Sequence, residues 1–237
     1  MAGILYLVPN LLGVVPPADV LPARTIAVAR TLRHWVVESG KPARAFLKSL
    51  DPPAPIATLD IQVLPERADA AAATALLAPA LAGHDVGLLS DAGCPGVADP
   101  GAVLVAAAHA AGVRVVPLVG PSSLLLALMA SGMNGQSFAF HGYLPVAATE
   151  RAAALRRLED ESRALHRAQL FIETPYRNEA MIKALGESLR PGTHVCIAVD
   201  LTLPGESIER RTAAAWRRQD PARYAKRPAI FILDASG

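Results

Sequence analysis

The chain has 237 residues, of which 52% are hydrophobic, enough to build one large domain or two domains of roughly 110–120 residues each. Its 23 lysines and arginines against 21 acids leave a net charge of +2, which excludes a polyelectrolyte that binds nucleic acid through overall charge. Two cysteines in unrelated contexts exclude a disulfide framework, and without CxxC or HxH spacings no metal site is expected. We expect a cytoplasmic protein with no signal peptide and no membrane span.

Strands and helices alternate through the first half of the chain. Apolar runs predict strands at 4–8, 35–38, 86–89 and 113–118. Amphipathic or alanine-rich segments predict helices at 22–34, 42–50, 67–81 and 102–111, with a proline-rich connector at 51–57. This alternation favours a parallel sheet with helices on both faces.

The second half follows a boundary at the Gly-Pro-Ser-Ser segment and predicts a mixed sheet. Its helices are expected at 124–130, 149–167, 178–189 and 212–218, and the first of them is apolar all round, which predicts burial. Its strands are expected at 137–143, 169–172, 193–199, 206–209 and 229–233. We therefore expect two α/β domains, at residues 1–118 and 119–237.

The stretch 86–101 organises the first domain. A short buried strand runs into a loop rich in glycine and proline, and a helix follows at once, with Asp99 expected to cap it and Pro100 at its first position. Such a loop allows a ligand to approach free backbone N–H groups. A plain connection is the alternative, although strand-to-helix loops are usually only two to six residues long.

Several residues of this region have two readings. Asp91 either contacts a ligand or caps the loop's own amides. Ser122 and Ser123 are N-cap residues of the next helix, ligand contacts, or both. Cys94 has no neighbouring base or cation in the sequence, so we interpret it as a small loop residue and not as a nucleophile.

Substrate handling has four candidates, which are Glu38, Glu173, Tyr176 and Arg177. A carboxylate at a strand end can act as a base towards a hydroxyl acceptor. For Glu38 the competing and favoured reading is a salt bridge to a nearby cation, Lys41 or Arg44. Arg177 either acts on the substrate or is solvated at the start of a helix.

One basic stretch occurs between 210 and 227, with a single opposing aspartate among seven cations. The cations are Arg210, Arg211, Arg217, Arg218, Arg223, Lys226 and Arg227. They are expected either to bind phosphates or to form a solvated face or an ion network at a dimer interface.

The motifs, in order, resemble the tetrapyrrole methylase superfamily of S-adenosylmethionine-dependent methyltransferases, and most closely its branch of ribosomal RNA small-subunit methyltransferase I. LLSDAGCPGVADPG at 88–101 is similar to the SDAGTP…DPG loop of that branch, and the segment 114–133 to its strand–PGPSA–helix segment. FHGYLP at 140–145 resembles GFLP, FIETPYR at 171–177 resembles FYESPHR, and DLTLPGE at 200–206 stands in the place of ELTK..E.

The sequence departs from this branch at places expected to face the substrate. The PTPIGN-type loop is only partly matched after the first strand, and the AEDTR motif keeps an acid, Glu38, but loses Asp-Thr-Arg. The lysine of ELTK is replaced by Leu203. The cofactor regions are retained better, so the methyl donor follows more directly from the resemblance than the acceptor does.

The resemblance implies two α/β domains of the tetrapyrrole methylase type, with S-adenosylmethionine in a cleft between them, and a homodimer. It assigns substrate handling to Glu38, Glu173 and Arg177. The cofactor residues it implies are Pro9, Asp91, Ala92, Gly93, Cys94, Val97, Ser122, Ser123, Tyr143, Leu144, Asp200, Leu201, Pro228 and Ala229.

Three functions follow as hypotheses. The first is 2′-O-methylation of a cytidine ribose in ribosomal RNA, as the branch implies. The second is a diverged paralogue that methylates a small molecule or another acceptor. The third is a protein that binds S-adenosylmethionine without catalysis. RNA is thus a possible partner with little support from the net charge, and no membrane partner is expected.

Overall fold

Ten strands in two five-stranded sheets are found in the computed structural model, which describes residues 2–236. Two units, Met1–Ser122 and Ser123–Gly237, each contain one sheet. Among the described residues, no helix combines the length and the hydropathy needed to cross a membrane.

The sheet of the first unit is entirely parallel, as the alternation of strands and helices predicts. Its strands are β1 (Ile4–Val8), β2 (His34–Val37), β3 (Asp60–Val63), β4 (Val86–Leu89) and β5 (Arg114–Pro117). They lie in the order β3-β2-β4-β1-β5, so β1 pairs with β4 on one side and β5 on the other. All four residues of β4 are buried, which explains its uninterrupted apolar sequence.

The helices of this unit cross between its parallel strands. They are α1 (Pro17–Val20), α2 (Ala23–Thr31), α3 (Gly40–Ser49), α4 (Ala70–Leu76), α5 (Ala78–Leu81) and α6 (Ala102–Ala110). The helix predicted over 22–34 is too long, because the backbone becomes extended at Leu32 and His34 already pairs in β2. The buried Trp35 fixes this change of direction, and its indole N–H donates to the Leu32 carbonyl at 3.3 Å.

Two further expectations in this unit are corrected. The helix predicted over 67–81 is broken into α4 and α5, because Pro79 lacks an amide hydrogen and its ring excludes a continuous helix. Strand β3 was not predicted at all. It is an edge strand of four residues, two of them polar, Asp60 and Gln62, so it lacks the apolar run by which buried strands are recognised.

The sheet of the second unit is mixed, as the sequence predicts. Its strands are β6 (Phe138–Tyr143), β7 (Ala168–Glu173), β8 (His194–Val199), β9 (Ser207–Thr212) and β10 (Ala229–Asp234). They lie in the order β6-β7-β10-β8-β9. Only β6 and β7 are parallel, and β10 runs antiparallel to both of its neighbours. Phe171 of β7 and Phe231 of β10 are register partners and stack at 5.6 Å between ring centroids in the core.

The helices of the second unit are α7 (Ser123–Ser131), α8 (Ala148–Leu165), α9 (Asn178–Ser188) and α10 (Ala213–Trp216). The predicted burial of the first helix on all sides is wrong. Ala127 and Leu128 face the sheet of this unit, whereas Leu125 is 51% exposed and Met129 is 79% exposed. These two lie one turn apart on the same face, because a helix that packs on a single sheet buries a single side.

Candidate functional site

The glycine-rich loop between β4 and α6 is folded by its own polar side chains. Both carboxylate oxygens of Asp99 accept the Gly96 N–H at 2.9 Å, and one of them also accepts the Gly101 N–H at 2.6 Å. The expectation that Asp99 caps α6 is therefore corrected, since that helix begins at Ala102 after Gly101 without a side-chain cap. Asp99 instead closes the loop, because its carboxylate binds both the Gly96 amide, three residues earlier, and the Gly101 amide, two residues later.

Asn10 joins the end of β1 to this loop. Its buried side-chain amide donates to the carbonyls of Ser90 at 2.9 Å and Asp91 at 3.0 Å, and its backbone N–H donates to the Gly93 carbonyl at 2.9 Å. Three hydrogen bonds thus hold segments about 80 residues apart at the carboxyl edge of the parallel sheet. Asn10, two residues after the end of β1, is not among the predicted site residues, although a polar residue close to the end of a buried strand is a usable signal.

The segment after β5 also meets the loop. A Cβ atom on Gly120 would lie 2.4 Å from Cβ of Pro9, so only glycine permits this approach. The Cys94 thiol donates to the Pro121 carbonyl at 3.4 Å. Burial raises the pKa of Cys94, and the charge of Asp99 raises it further, which disfavours the thiolate and supports the reading of Cys94 as a loop residue.

Glu38 at the end of β2 binds the loop directly. One oxygen of its carboxylate accepts the Asp91 N–H at 2.9 Å, and the Ser39 hydroxyl donates to the Asp91 carboxylate at 2.8 Å. The favoured salt bridge is wrong: within residues 2–236 Glu38 has no ion pair, and Arg44 donates to the Gly40 carbonyl. The Asp91 carboxylate therefore accepts no hydrogen bond from its own loop among residues 2–236. It is bonded instead to Ser39, which follows β2.

Partial burial raises the pKa of Glu38. The hydrogen bond from the Asp91 amide lowers this pKa, and the charges of Asp91 and Asp99 raise it. The net shift is upward from 4.5. Two carboxylates face Glu38 across the loop, and this is the charge arrangement that favours proton uptake at a half-buried acid.

Glu38→Gln is expected to gain stability relative to the wild type as the pH rises. The folded state holds the Glu38 proton more tightly than the unfolded chain, so the wild type loses this contribution as the pH rises above about 4.5. Glutamine still accepts the Asp91 N–H and does not titrate. Because Glu38 is partly solvated, we expect only about half a kcal/mol between pH 4 and pH 7.

Urea unfolding at the two pH values measures this difference. Glu66→Gln, at an exposed position of the same unit, is the matched control and is expected to follow the wild type. A Glu38→Gln variant whose relative stability falls with pH contradicts the assignment.

The loop combines two glycines in the left-handed region with a run of backbone amides, and Gly93 itself is buried. Gly93 and Gly96 have φ of +68° and +83°, and a Cβ at Gly96 would have no neighbour within 4 Å. The amides of Ala92, Gly93 and Cys94 make no hydrogen bond within residues 2–236. Val97, at 46% exposure, adds an apolar side chain beside them. Unpaired N–H groups next to a small apolar contact can bind a carboxylate attached to an apolar chain.

The residues predicted to form the site in the second unit lie at one edge of its sheet. The parallel strands β6 and β7 end there at Tyr143 and Glu173, and the antiparallel strand β10 begins there at Ala229. Ala229 is the register partner of both Glu173 and Val199, and the Asp200 amide donates to the Pro228 carbonyl at 3.1 Å. Leu144 and Leu201, which follow β6 and β8, are buried.

Glu173 and Arg177 form an ion pair at this edge. The Glu173 side chain is fully buried, and its Oε1 accepts the Thr174 N–H at 2.6 Å and the Arg177 Nε–H at 2.8 Å. Its Oε2 has no hydrogen-bond partner among the described residues. The pair fixes the turn between β7 and α9, and a role in substrate handling stays a prediction for both residues.

The turn is also bonded to the segment before β10. Asn178 is fully buried and donates to the carbonyls of Tyr224 at 2.9 Å and Arg227 at 2.7 Å. Asn178 is not among the predicted site residues, because a single asparagine at the start of a helix has no distinguishing sequence pattern.

The connection between β8 and β9 has an unusual backbone. Asp200 and Thr202 both have positive φ, at +50° and +71°, and a β-branched residue rarely adopts this region. Arg227 donates through Nε to the Asp200 carboxylate at 2.7 Å, and the Thr202 amide donates to Glu206 at 2.8 Å. Strain of this kind, of about 1–3 kcal/mol per residue, persists where surrounding contacts enforce it and is common at ligand sites.

The basic stretch 210–227 is not one patch. Four of its seven cations are engaged within the fold: Arg211 and Arg223 pair with Glu209, Arg227 pairs with Asp200, and Arg217 donates to the Gly186 carbonyl. Successive side chains of β9 alternate between the faces of the sheet, so Arg210 lies near Gly132 while Arg211 covers the Trp216 ring.

A metal centre is not found in residues 2–236, since no group of three or more His, Cys, Asp or Glu side chains there is placed to hold an ion.

The profile of the family described as Tetrapyrrole (Corrin/Porphyrin) Methylases matches residues 18–216. The chain belongs to this family. The match includes the glycine-rich loop, the turn at Glu173 and the strained β8–β9 connection.

Two relatives of the chain are named as methyltransferases of ribosomal RNA. The ribosomal RNA small subunit methyltransferase I of Xylella fastidiosa is 34% identical over 157 residues, which are 66% of this chain and 56% of the relative. That of Escherichia coli O157:H7 is 37% identical over 158 residues, which are 64% of this chain and 52% of the relative. The chain thus spans about half the length of the curated relatives it matches.

Solved structures of the family share the fold over nearly the whole chain. The methyltransferase CobJ aligns with a TM-score of 0.65 and 22% identity, covering 98% of this chain and 94% of CobJ. A uroporphyrin-III-C-methyltransferase from Thermus thermophilus aligns with a TM-score of 0.55 and 20% identity, covering 100% of this chain and 94% of the other. At such identities the likeness shows the two α/β domains of this fold and nothing of the substrate.

Proposed function

We propose that this chain is an S-adenosylmethionine-dependent methyltransferase whose methyl acceptor is ribosomal RNA. The match of residues 18–216 to a methylase family supports the assignment of the chain as a methyltransferase. Two relatives that are 34% and 37% identical to the chain are named as ribosomal RNA methyltransferases, and this supports ribosomal RNA as the methyl acceptor.

The loop of the first unit fits the methionyl end of S-adenosylmethionine. The cofactor, when bound, supplies a methyl group already activated by its positively charged sulfur. Ala92, Gly93 and Cys94 offer unpaired amides to a carboxylate, and Val97 offers an apolar contact. Asp91, held by Ser39 at 2.8 Å, is placed to accept from the cofactor's ammonium group. Pro9, Ser122 and Ser123 complete the predicted set.

In the second unit, the edge formed by the ends of β6 and β8 and the start of β10 is proposed to hold the adenosine. Leu144, Leu201 and Ala229 supply buried apolar surface, and Tyr143 supplies an exposed ring. Asp200 and Pro228 supply backbone groups. The strained backbone at Asp200 and Thr202 supports this placement.

Glu38 is proposed to orient the acceptor hydroxyl and receive its proton. One carboxylate oxygen is bonded to the Asp91 amide, and the other makes no hydrogen bond within residues 2–236. Its raised pKa makes it a better proton acceptor than an ordinary glutamate. A hydroxyl bonded to this oxygen would be aligned beside the loop that holds the methyl donor, which is the main requirement for methyl transfer.

A small-molecule acceptor is the second candidate, and one observation favours it. Four of the seven cations between 210 and 227 are bonded to partners within the chain. Fewer positive charges are therefore available to bind a long RNA than the number of lysines and arginines in this stretch indicates. A protein that only binds the cofactor would retain the loop but lack acceptor activity.

The deciding experiment combines calorimetry with transfer of labelled methyl groups. We expect S-adenosylmethionine to bind with a stoichiometry of one per chain, and labelled methyl to appear in small ribosomal subunits lacking the modification. Label that appears only in a small-molecule fraction supports the second candidate, and binding without label supports the third. The homodimer and the cytoplasmic location are part of the same proposal; the homodimer rests on the resemblance alone, and the location on the cysteine content of the sequence.

A further inference from the structure

Tyr176 is the most exposed aromatic side chain among residues 2–236. Its side chain lies directly after β7, in a short turn over Pro175–Arg177, and it is 82% exposed. This side chain lies at the same sheet edge as the cofactor residues predicted in the second unit.

The turn that carries Tyr176 is held on both sides. The Thr174 carbonyl accepts the Arg177 N–H at 2.9 Å, and the Glu173–Arg177 ion pair closes the same turn. On the outer side, the Pro175 carbonyl accepts the Lys226 N–H at 2.9 Å. The backbone of this turn is therefore fixed, so a partner that stacks on the ring has to order only the side-chain torsions of Tyr176.

The same hydrogen bond places the backbone of Lys226 next to the turn that carries Tyr176. Lys226 is exposed, has a positive φ of +59°, and makes no ion pair within residues 2–236. Unlike Arg211, Arg223 and Arg227, which are bonded to acids, its charge remains available. An exposed ring and an available cation on two hydrogen-bonded segments match a base and its phosphate.

We propose that Tyr176 and Lys226 form a contact for one unpaired nucleotide of an RNA acceptor, whose base stacks on the ring and whose phosphate meets the ammonium group. This inference rests on the proposed function. A duplex has no free base faces to offer, so the contact selects single-stranded segments. A protein partner would require an apolar surround, whereas this ring is flanked by cationic residues.

Fluorescence anisotropy with a labelled single-stranded RNA of twelve nucleotides tests the contact. Tyr176→Ala is expected to weaken binding about five- to 150-fold, whereas Tyr176→Phe, which keeps the stacking face, stays within about twofold. Lys226→Gln is expected to reduce the salt dependence by about 0.7 in the logarithmic slope. Phe138→Ala, which removes an exposed ring at the opposite end of β6, is the matched control and is expected to bind like the wild type.

Three outcomes overturn the proposal, and they differ in what they leave standing. If the wild type binds the RNA and Tyr176→Ala binds it equally well, the contact is refuted and the proposed function stands. If the wild type binds no RNA while calorimetry shows intact cofactor binding, the RNA acceptor is refuted together with the contact. Equal weakening by Phe138→Ala also refutes the contact, because the loss is then not local.

Discussion

Gly93→Val is expected to weaken S-adenosylmethionine binding at least about 100-fold, equivalent to about 2.7 kcal/mol. Gly93 has a φ of +68°, where a β-branched residue is strained. A Cβ at this position would lie 3.3 Å from Leu12 Cδ2, which requires a small shift of that side chain, and 3.5 Å from the Pro121 carbonyl oxygen. The two Cγ atoms of valine need further space, so we expect valine to displace the loop. The Gly93 carbonyl also accepts the Asn10 N–H, and the displacement therefore reaches the end of β1.

Gly112→Val separates loss of the site from loss of stability. Gly112 has nearly the same φ, +70°, but follows α6 and has no atom within 4 Å of its Cβ position. Both variants are expected to lose about 1–2 kcal/mol of unfolding free energy through backbone strain. Only Gly93→Val is expected to lose cofactor affinity in calorimetry. If the two variants bind S-adenosylmethionine with equal affinity, the loop is not part of the cofactor site.

Arg177→Met is expected to destabilise the second unit by about 2–4 kcal/mol. The substitution leaves the Glu173 carboxylate, whose side chain is fully buried, without its cation. The cost is dominated by this unpaired buried charge and not by the lost contact itself. The double variant Arg177→Met with Glu173→Gln removes the charge as well, and it is expected to recover more than half of the loss.

Urea denaturation followed by tryptophan fluorescence measures this effect, since Trp216 lies in the core of the second unit. Arg157→Met is the matched control, because Arg157 pairs with Glu161 on the exposed face of α8, with side chains 69% and 41% exposed. Such a pair contributes about 0–1 kcal/mol. The assignment fails if both arginine variants lose the same stability, or if the double variant is less stable than Arg177→Met.

Local pattern was sufficient for most of the fold. The alternation of apolar runs and amphipathic segments predicted a parallel sheet in the first unit, and the shorter runs after residue 123 predicted a mixed one. The errors occurred where tertiary contacts override local preference. His34 continues a helical pattern in sequence but pairs in β2 because Trp35 is buried, and β3 is defined by its neighbour more than by its own composition.

The candidate site was predictable as a location but not as a set of bonds. The glycine spacing marked the loop, yet nothing local shows that Asn10 binds it from 80 residues away or that Glu38 binds Asp91. Proximity in sequence was misleading for the basic stretch, because strand alternation and pairing with Glu209 and Asp200 divide its charges. Long-range hydrogen bonds and ion pairs follow from topology, which a pattern of residues does not contain.

In each sheet, a strand with partners on both sides lies at one end of its chain segment: β1 is the first strand of its unit and β10 is the last of its own. This order affects synthesis on the ribosome. In the first unit, β1 is made first, but its partners β4 and β5 follow about 80 and 110 residues later. In the second unit, β10 is made last and is the strand that joins β7 to β8. Neither sheet can therefore form completely while its part of the chain is still being synthesised. A nascent chain stalled before residue 229 exposes the apolar edges of β7 and β8 to solvent and to chaperones.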